Sequence, residues 1–205
     1  MNPIRSRRGI PLDSFFSGSA LEHDDIMRLN TWFRERRAGS SVLRSGLSRI
    51  RDSARVLITI AEQSNSLDRY FEELIRKEVD LPSAAVAIGS SPSCPPKLPG
   101  LGIPLAAEFL KNIGYDVAKP DRHINRAVGS FGWVQFSNWP NRRGTRPPTA
   151  KKVELIAVMR EMAKFASALS LHVCYVDNAV WLLCAKSGLY VDNGALSKLS
   201  DGTPN

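Results

Sequence analysis

Apolar residues recur every three or four positions along most of the chain, which is the spacing of one face of an α-helix. The helices that this spacing predicts cover residues 22–37, 42–60, 66–79, 103–128 (a pair), 149–169 and 174–184. In the segment 66–79 acidic residues stand early and basic residues late, an order that complements the helix dipole, and Pro82 follows soon after. No strand-like alternation and no internal repeat accompany the helical pattern, so we expect an all-α fold.

Segments without this pattern predict the domain organisation. Runs of Gly, Ser, Pro, Asn and Arg indicate loops at residues 89–96 and 129–148. Residues 1–20 are expected to form a flexible N-terminal arm, and residues 193–205 a flexible tail. We expect residues 21–192 to fold as a single helical domain, which is long enough for two lobes that share a cleft.

Charge and cysteine content narrow the function classes. The 205 residues include 28 Lys and Arg against 20 Asp and Glu, a formal net charge of +8, which favours nucleic acid over an anionic membrane as partner. No apolar run approaches the ~20 residues of a membrane span, so we expect no membrane partner and a cytoplasmic protein, nucleoid-associated if bacterial. Cys94, Cys174 and Cys184 are irregularly spaced and too few for a four-cysteine iron–sulfur cluster.

A glycine-rich turn precedes the predicted helix that begins at Ile103. Residues 98–102 read Leu-Pro-Gly-Leu-Gly, and glycines at these positions permit backbone conformations and close approaches that other residues forbid. The amide groups of the turn and of the new helix then face outward at a partial positive end, where a phosphate fits. Pro104 suits the first helical turn. An ordinary loop-to-helix junction has the same composition, so this turn alone does not establish a phosphate site.

A second short motif begins at the start of the next predicted helix. Residues 121–126 read Asp-Arg-His-Ile-Asn-Arg. Asp121 is a strong candidate for the helix N-cap, a structural role that needs no chemistry. His123 and Arg126 follow three positions apart and therefore share one helix face.

The two motifs together resemble the helix-hairpin-helix DNA glycosylase superfamily, which includes endonuclease III-like and MutY-like enzymes. That family's pattern is Leu-Pro-Gly-Val-Gly, a helix, and then Val-Asp-Thr-His-Val-x-Arg, and it is similar to residues 98–128 here. A weaker similarity extends over residues 175–183, which look like the helix that packs behind the family's active site. The resemblance implies a two-lobed, all-α glycosylase-like fold with a helix-hairpin-helix DNA-binding element at residues 98–128.

The resemblance also implies an activity. It gives Asp121 the role of the catalytic carboxylate, which stabilises the sugar cation or activates water while the N-glycosidic bond of a flipped base breaks. The expected substrate is a damaged or mismatched base in double-stranded DNA. The family's hairpin anchors a DNA phosphate and often binds a monovalent cation through carbonyl groups, here those of Leu98 and Leu101. The matching DNA-binding positions of the hairpin are Leu98, Gly100, Leu101, Gly102 and Ile103.

Two departures from the family pattern refine this expectation. Bifunctional members carry a lysine two residues after the second hairpin glycine, where it forms a Schiff base with the sugar, and this chain has Pro104 there. We therefore expect base removal without lysine-dependent strand cleavage, that is, a monofunctional enzyme. The cysteines of an iron–sulfur cluster are also missing, so we expect no such cofactor.

Basic and aromatic residues are interleaved between residues 119 and 152. Cations suit phosphates and rings suit an unstacked base, although a solvated arginine rim and core aromatics are the alternatives. The candidate DNA-backbone residues are Arg122, Arg126, Arg142, Arg143 and Arg146, and the candidate base-pocket or wedge residues are Gln63, Trp133 and Trp139. Gln63 resembles a glutamine that fills the gap left by the flipped base in endonuclease III relatives; a polar helix end is its structural alternative.

Two other functions stay open at this point. The same hairpin suits a non-catalytic DNA-binding protein with a glycosylase-like fold, because phosphate anchoring needs no catalysis. An α-helical protein in which the motif arose by accident is the third alternative. His23 and His172 lack acidic or cysteine partners at ligand spacing, so we predict no zinc site. Asp177 is interpreted as a helix cap, with a second carboxylate in the cleft as the alternative. The sequence indicates neither the oligomeric state nor the identity of the excised base.

Overall fold

The computed structural model describes residues 22–36, 44–90, 97–137 and 150–186. Within these ranges the regular structure consists of eight α-helices and no strand, which confirms the all-α fold class. In chain order the helices are α1 His23–Glu35, α2 Arg44–Ser64, α3 Leu67–Glu78, α4 Leu81–Ser90, α5 Ile103–Asn112, α6 Arg122–Ser130, α7 Lys152–Ala168 and α8 Val173–Lys186.

One helix, α4, was not predicted from the apolar spacing. Its inward-facing residues are small or apolar, among them Ala84, Ala85 and Ile88, and they form no narrow stripe because the helix is apolar around most of its circumference. The preceding helix ends at Glu78, and Pro82 stands in the first turn of α4, where a missing N–H costs nothing, so Pro82 is compatible with a new helix. The loop predicted at 89–96 therefore begins later, because Gly89 and Ser90 still belong to α4.

The described residues divide along the chain into two compact units. The first unit contains residues 22–36, 44–73 and 97–100. Within it α1 packs against α2, and Ile26 and Ile60 are buried. The Ser53 hydroxyl of α2 donates a hydrogen bond to the Pro99 carbonyl at 2.8 Å, which holds the turn that precedes Gly100.

The second unit contains residues 74–90, 101–137 and 150–186. Its core lies where α6, α7 and α8 meet, and α4 packs against both α5 and α7. Core side chains with little or no exposure include Ile124, Val128, Val158, Met162, Val176 and Cys184. These residues come from the three helices that also surround Asp121, so the core supports the region to which the sequence assigns chemistry.

Helices α4 and α5 approach each other closely at Gly89. A Cβ atom built on Gly89 would lie 2.6 Å from the backbone N and Cα of Ile103, the first residue of α5. Only glycine fits such an approach, because the opposing atoms belong to the backbone and cannot swing away. Gly89 therefore permits the close packing of α4 against the start of α5.

Within the described residues, no single helix is long and apolar enough to cross a membrane. One pair of them, α7 and the first part of α8, has the length and composition of a span when taken together, but the pair is bent by 106° at the break between the two helices. The predicted arm at 1–20 and tail at 193–205 lie outside the described residues.

Candidate active site around Asp121

The first glycine of the turn is explained by packing within the first unit. Gly100 has a φ of +82°, in the left-handed region that favours glycine. A Cβ atom there would lie 2.8 Å from Cδ of Arg49, because the aliphatic part of the Arg49 side chain covers this glycine. Leu98 is buried beside the same turn. Gly100 thus satisfies a backbone and a packing requirement before any ligand is considered.

The second glycine, Gly102, opens α5 and belongs to the second unit. It is the N-cap residue in extended conformation, and no side chain of the described residues caps the first turn of α5. A Cβ atom built on Gly102 would meet nothing within 4 Å. Pro104 follows in the first turn, and Ile103 is buried. The start of α5 thus has no side-chain cap among the described residues, although Ile103 N lies against Gly89 and Pro104 has no N–H to offer.

Asp121 is the N-cap of α6, as predicted. Its carboxylate accepts hydrogen bonds from the backbone N–H of His123 at 2.8 Å and of Ile124 at 3.2 Å. Both bonds go to Oδ1, and within the described residues Oδ2 accepts none. One oxygen of the carboxylate is therefore structural while the other is available to a ligand.

A cavity of about 500 Å³ lies at this carboxylate. Its volume falls within the range of small-molecule binding sites. It brings together the start of α5, the segment before α6, the first turns of α6, the start of α7 and one residue of α8. Lining residues include Pro104, Lys119, Asp121, Arg122, Asn125 and Trp181.

An aromatic pair forms part of the cavity wall. The His123 and Trp181 rings meet edge to face, with centroids 6.0 Å apart and an interplanar angle of 75°. Arg122 Nε donates to His123 Nε2 at 3.1 Å, so that nitrogen acts as an acceptor. Burial lowers the pKa of the His123 imidazole, and the neighbouring Arg122 lowers it further despite the opposing charge of Asp121. His123 is consequently neutral near pH 7.

A second buried carboxylate, Asp177, lies close to Asp121. The two residues line a smaller cavity of about 210 Å³ together with Trp181. Asp177 is only 2% exposed, and it accepts hydrogen bonds from Lys111 Nζ at 2.8 Å and from the Lys119 backbone N–H at 3.2 Å. The prediction that Asp177 caps a helix is wrong, because α8 begins four residues earlier, at Val173.

Burial and electrostatic contacts have opposing effects on the pKa of each member of the Asp177–Lys111 ion pair. Burial raises the pKa of the Asp177 carboxyl, and the negative charge of Asp121 acts in the same direction, so together they outweigh the effect of Lys111. Burial lowers the pKa of Lys111, but its hydrogen bond to Asp177 and the nearby acidic charges raise it overall. Lys119 Nζ pairs with Glu108 at 2.7 Å. Both lysines near Asp121 are therefore held by acidic partners.

The segment before Asp121 is attached to α8 at two points. Asp116 accepts hydrogen bonds from the N–H groups of Val173 at 3.0 Å and Cys174 at 2.9 Å, which caps the first turn of α8. Asp177 provides the second attachment through the Lys119 N–H. These two acids position the backbone that leads into Asp121. Sequence spacing gave no signal for either attachment, because the partners lie 57 or 58 residues apart.

The other predicted site residues have varied placements. Arg122 is exposed at the large cavity and Arg126 is partly buried on α6. Gln63 is exposed in the last turn of α2, in the first unit. Trp133 packs against Phe131 and Phe165, at centroid distances of 5.0 and 4.8 Å, on the hydrophobic core. Their DNA-contacting or base-contacting roles stay predictions.

Some predictions fall on residues that the structure does not describe. Arg142, Arg143, Arg146 and Trp139 lie outside the described ranges. In the described part of the chain no group of three or more His, Cys, Asp or Glu side chains is arranged to hold a metal ion. The monovalent cation predicted at the carbonyls of Leu98 and Leu101 stays a prediction.

Comparison with known proteins adds no relative. No protein-family model matches the chain, and no curated protein and no solved structure matches it. The function of the chain is therefore inferred from its own residues, above all from the geometry at Asp121.

Proposed function

We propose that this protein is a monofunctional DNA glycosylase that hydrolyses the N-glycosidic bond of a damaged or mismatched base in duplex DNA. The observation that carries the proposal is the division of the Asp121 carboxylate: Oδ1 caps α6, while Oδ2 accepts no hydrogen bond within the described residues, at a cavity of about 500 Å³. An available carboxylate oxygen can stabilise the oxocarbenium character of the sugar or accept a proton from water.

The capping bonds contribute to this chemistry. They hold the Asp121 side chain in one orientation, so the carboxylate needs little reorganisation when charge develops on the sugar. The neutral imidazole of His123 and the indole of Trp181 offer an apolar wall for a base that has left the stack. In this role His123 shapes the cavity and exchanges no proton.

The expectation of monofunctional activity agrees with the position of Pro104. The resemblance places the lysine of bifunctional enzymes at this position, and Pro104 lines the same cavity as Asp121. Proline carries no side-chain amine and cannot form a Schiff base. Lys119 also lines the cavity, but its ammonium group pairs with Glu108. Strand cleavage by an enzyme amine is therefore not expected.

Two features support DNA as the partner. The first is the start of α5 at Gly102, which no side chain of the described residues caps and whose partial positive end attracts a phosphate. The second is the excess of basic residues, which includes Lys119 and Arg122 at the cavity. Phosphate contacts fix the position of a protein on the duplex, and here they would bring the sugar of the target nucleotide to Asp121.

A base-release assay tests the proposal. Wild type is incubated with duplexes that each contain one lesion, and abasic sites are then cleaved with alkali. We expect strand breaks only after alkali, and we expect Asp121→Asn to slow base release by about 10²- to 10³-fold. Asparagine still caps a helix, so stability and duplex affinity should remain close to wild type.

Asp68→Asn provides the matched control for the loss of one negative charge. Asp68 is an exposed carboxylate in the first turn of α3, and its replacement should leave base release unchanged. Base release that survives in Asp121→Asn would contradict the assignment of Asp121. Borohydride should trap no covalent complex between wild type and DNA, because no lysine stands at position 104.

A non-catalytic DNA-binding protein is the second candidate function. The uncapped start of α5 favours it, since phosphate binding there requires no participation of Asp121. Salt-dependent binding to duplex DNA without base release from any lesion would support this candidate over the enzyme.

A further inference from the structure

A second polar side chain on α6, Asn125, lines the large cavity at Asp121. It lies one helical turn after Asp121, and its backbone N–H donates to the Asp121 carbonyl at 2.9 Å. Residues four positions apart share a helix face, so the two side chains reach the same cavity. Asn125 is only 5% exposed. An amide is thus buried beside the carboxylate to which we assign the chemistry.

The amide of Asn125 is not satisfied internally. Within the described part of the chain, its buried Oδ1 atom has no hydrogen-bond partner. Folded proteins leave few buried acceptors unpaired, because such a group has lost water without gaining a replacement. Internal hydrogen bonding therefore does not explain why this position carries an amide. Because Oδ1 itself is out of contact with solvent, an N–H of a ligand in the cavity supplies the missing partner once the amide has turned about χ2.

The remaining side chains restrict the charge of that ligand. Arg122 lines the cavity and its positive charge opposes a positively charged base, whereas the charge of Lys119 is offset by Glu108. Asp121 carries the opposite charge, but its role is to face the sugar. The aromatic wall of His123 and Trp181 suits a planar group. The cavity therefore favours a flat, uncharged base that presents an N–H donor.

We propose that Asn125 is the specificity-determining residue of this site and reads the lactam edge of a neutral base. After rotation of the amide about χ2, Oδ1 accepts the ring N–H while Nδ2 donates to the adjacent ring carbonyl. Uracil and hypoxanthine present such an edge, whereas the cationic alkylated purines are disfavoured. This inference rests on the proposed glycosylase function, since it assigns a substrate class to the same cavity.

A double-mutant cycle between enzyme and substrate tests the inference. Single-turnover base release is measured on duplexes that contain uracil or 3-methyluracil, which differ in the ring N–H, with wild type and with Asn125→Ala. We expect wild type to release uracil about tenfold faster or more, and this preference to fall close to one in Asn125→Ala. Asn112→Ala, at an exposed position on α5, should retain the wild-type preference.

Several outcomes would overturn the inference while leaving the glycosylase intact. Equal release of both bases by wild type would do so without any variant, and so would faster release of cationic 7-methylguanine than of uracil. An equal loss of both rates in Asn125→Ala would show a purely structural role. Asn125→Ser replaces the alanine variant if that protein does not fold. Failure of wild type to release any base from the full lesion panel would instead overturn the proposed function, and this inference with it.

Discussion

Two helix starts, those of α5 and α6, form parts of the same cavity wall and differ in how their first amides are satisfied. At α5 the N-cap is Gly102, with no side-chain acceptor among the described residues and no atom near the position of a Cβ. At α6 the N-cap is Asp121, whose Oδ1 accepts two backbone N–H groups. An uncapped start leaves its partial positive charge available to an external anion. A capped start has already satisfied its donors, and it leaves a carboxylate oxygen free for chemistry.

The difference suits the two tasks of the proposed function. Phosphate binding needs a helix start without an internal cap, as at α5. Stabilisation of a positive sugar needs a fixed anion, as at α6. Exchanging the two cap residues would place negative charge at the proposed phosphate contact and remove it from the proposed site of the sugar.

The largest expected effect is a loss of stability when Gly89, which packs against the start of α5, is replaced. Gly89→Ala places a methyl group 2.6 Å from backbone atoms of Ile103, so α4 and α5 must separate. We expect a loss of about 2–3 kcal/mol in the free energy of unfolding, as measured by denaturant titration. Gly46→Ala is the matched control on α2, where the added Cβ meets nothing within 4 Å. That change should leave stability unchanged or raise it by up to about 1 kcal/mol. A Gly89→Ala protein as stable as wild type would contradict the close approach.

A smaller effect is expected when α5 is given an acidic N-cap residue like that of α6. Gly102 is in extended conformation with open space around it, so Gly102→Asp can cap α5 without strain. Stability should rise by a few tenths of a kcal/mol, while affinity for undamaged duplex at low salt should fall about tenfold because the carboxylate opposes phosphate. Gly102→Ser adds a neutral cap and should keep affinity near wild type. Fluorescence anisotropy over a salt series measures the duplex affinity of each variant. Equal affinities of Gly102→Asp and wild type would exclude a phosphate at this helix start.

The smallest expected effect depends on pH. Burial alone would raise the pKa of Asp116, but the amides of Cys174 and Val173 lower it overall. A carboxyl with a lowered folded pKa stabilises fully above its ordinary value of 3.8, and this stabilisation is lost as the pH falls through the folded pKa. Asp116→Ala should therefore cost about 1 kcal/mol near pH 7, and less below about pH 4. The effect of Gly102→Ser should not change over this range, since a hydroxyl does not titrate there. If Asp116→Ala lowered the free energy of unfolding by the same amount at both pH values, the lowered pKa of Asp116 would be contradicted.

Local features of the sequence were sufficient to predict most of the fold. Helix periodicity and capping depend on residues within one or two turns, so seven of the eight described helices and the cap at Asp121 were predicted near their observed positions. Helix α4 was missed because its apolar side chains surround the helix and because Pro82 reads as a terminator until its position in the first turn is known. The small residue Gly89 was assigned to a loop for the same reason.

The arrangement of the site depended on contacts that the sequence does not record. Asp177 is distant from Lys111 and Lys119 along the chain, and only packing of α8 brings them together. Asn125 reads in the sequence as one polar residue of an amphipathic helix, and its burial depends on the neighbours of α6. Gly100 was assigned a backbone role and a phosphate-binding role from the sequence, which did not indicate that the Arg49 side chain occupies the space beside it. Long-range packing of this kind leaves no periodic signal.

The two carboxylates that attach the Asp121 segment to α8 also have a consequence for dynamics. The amide protons of Lys119, Val173 and Cys174 donate to acids that link this segment with the helix, so they can exchange with solvent only when that link opens. A connection that lacks regular structure thereby joins the cooperative opening unit of α8 and does not fray independently. The orientation of Asp121 should accordingly persist for as long as α8 stays closed.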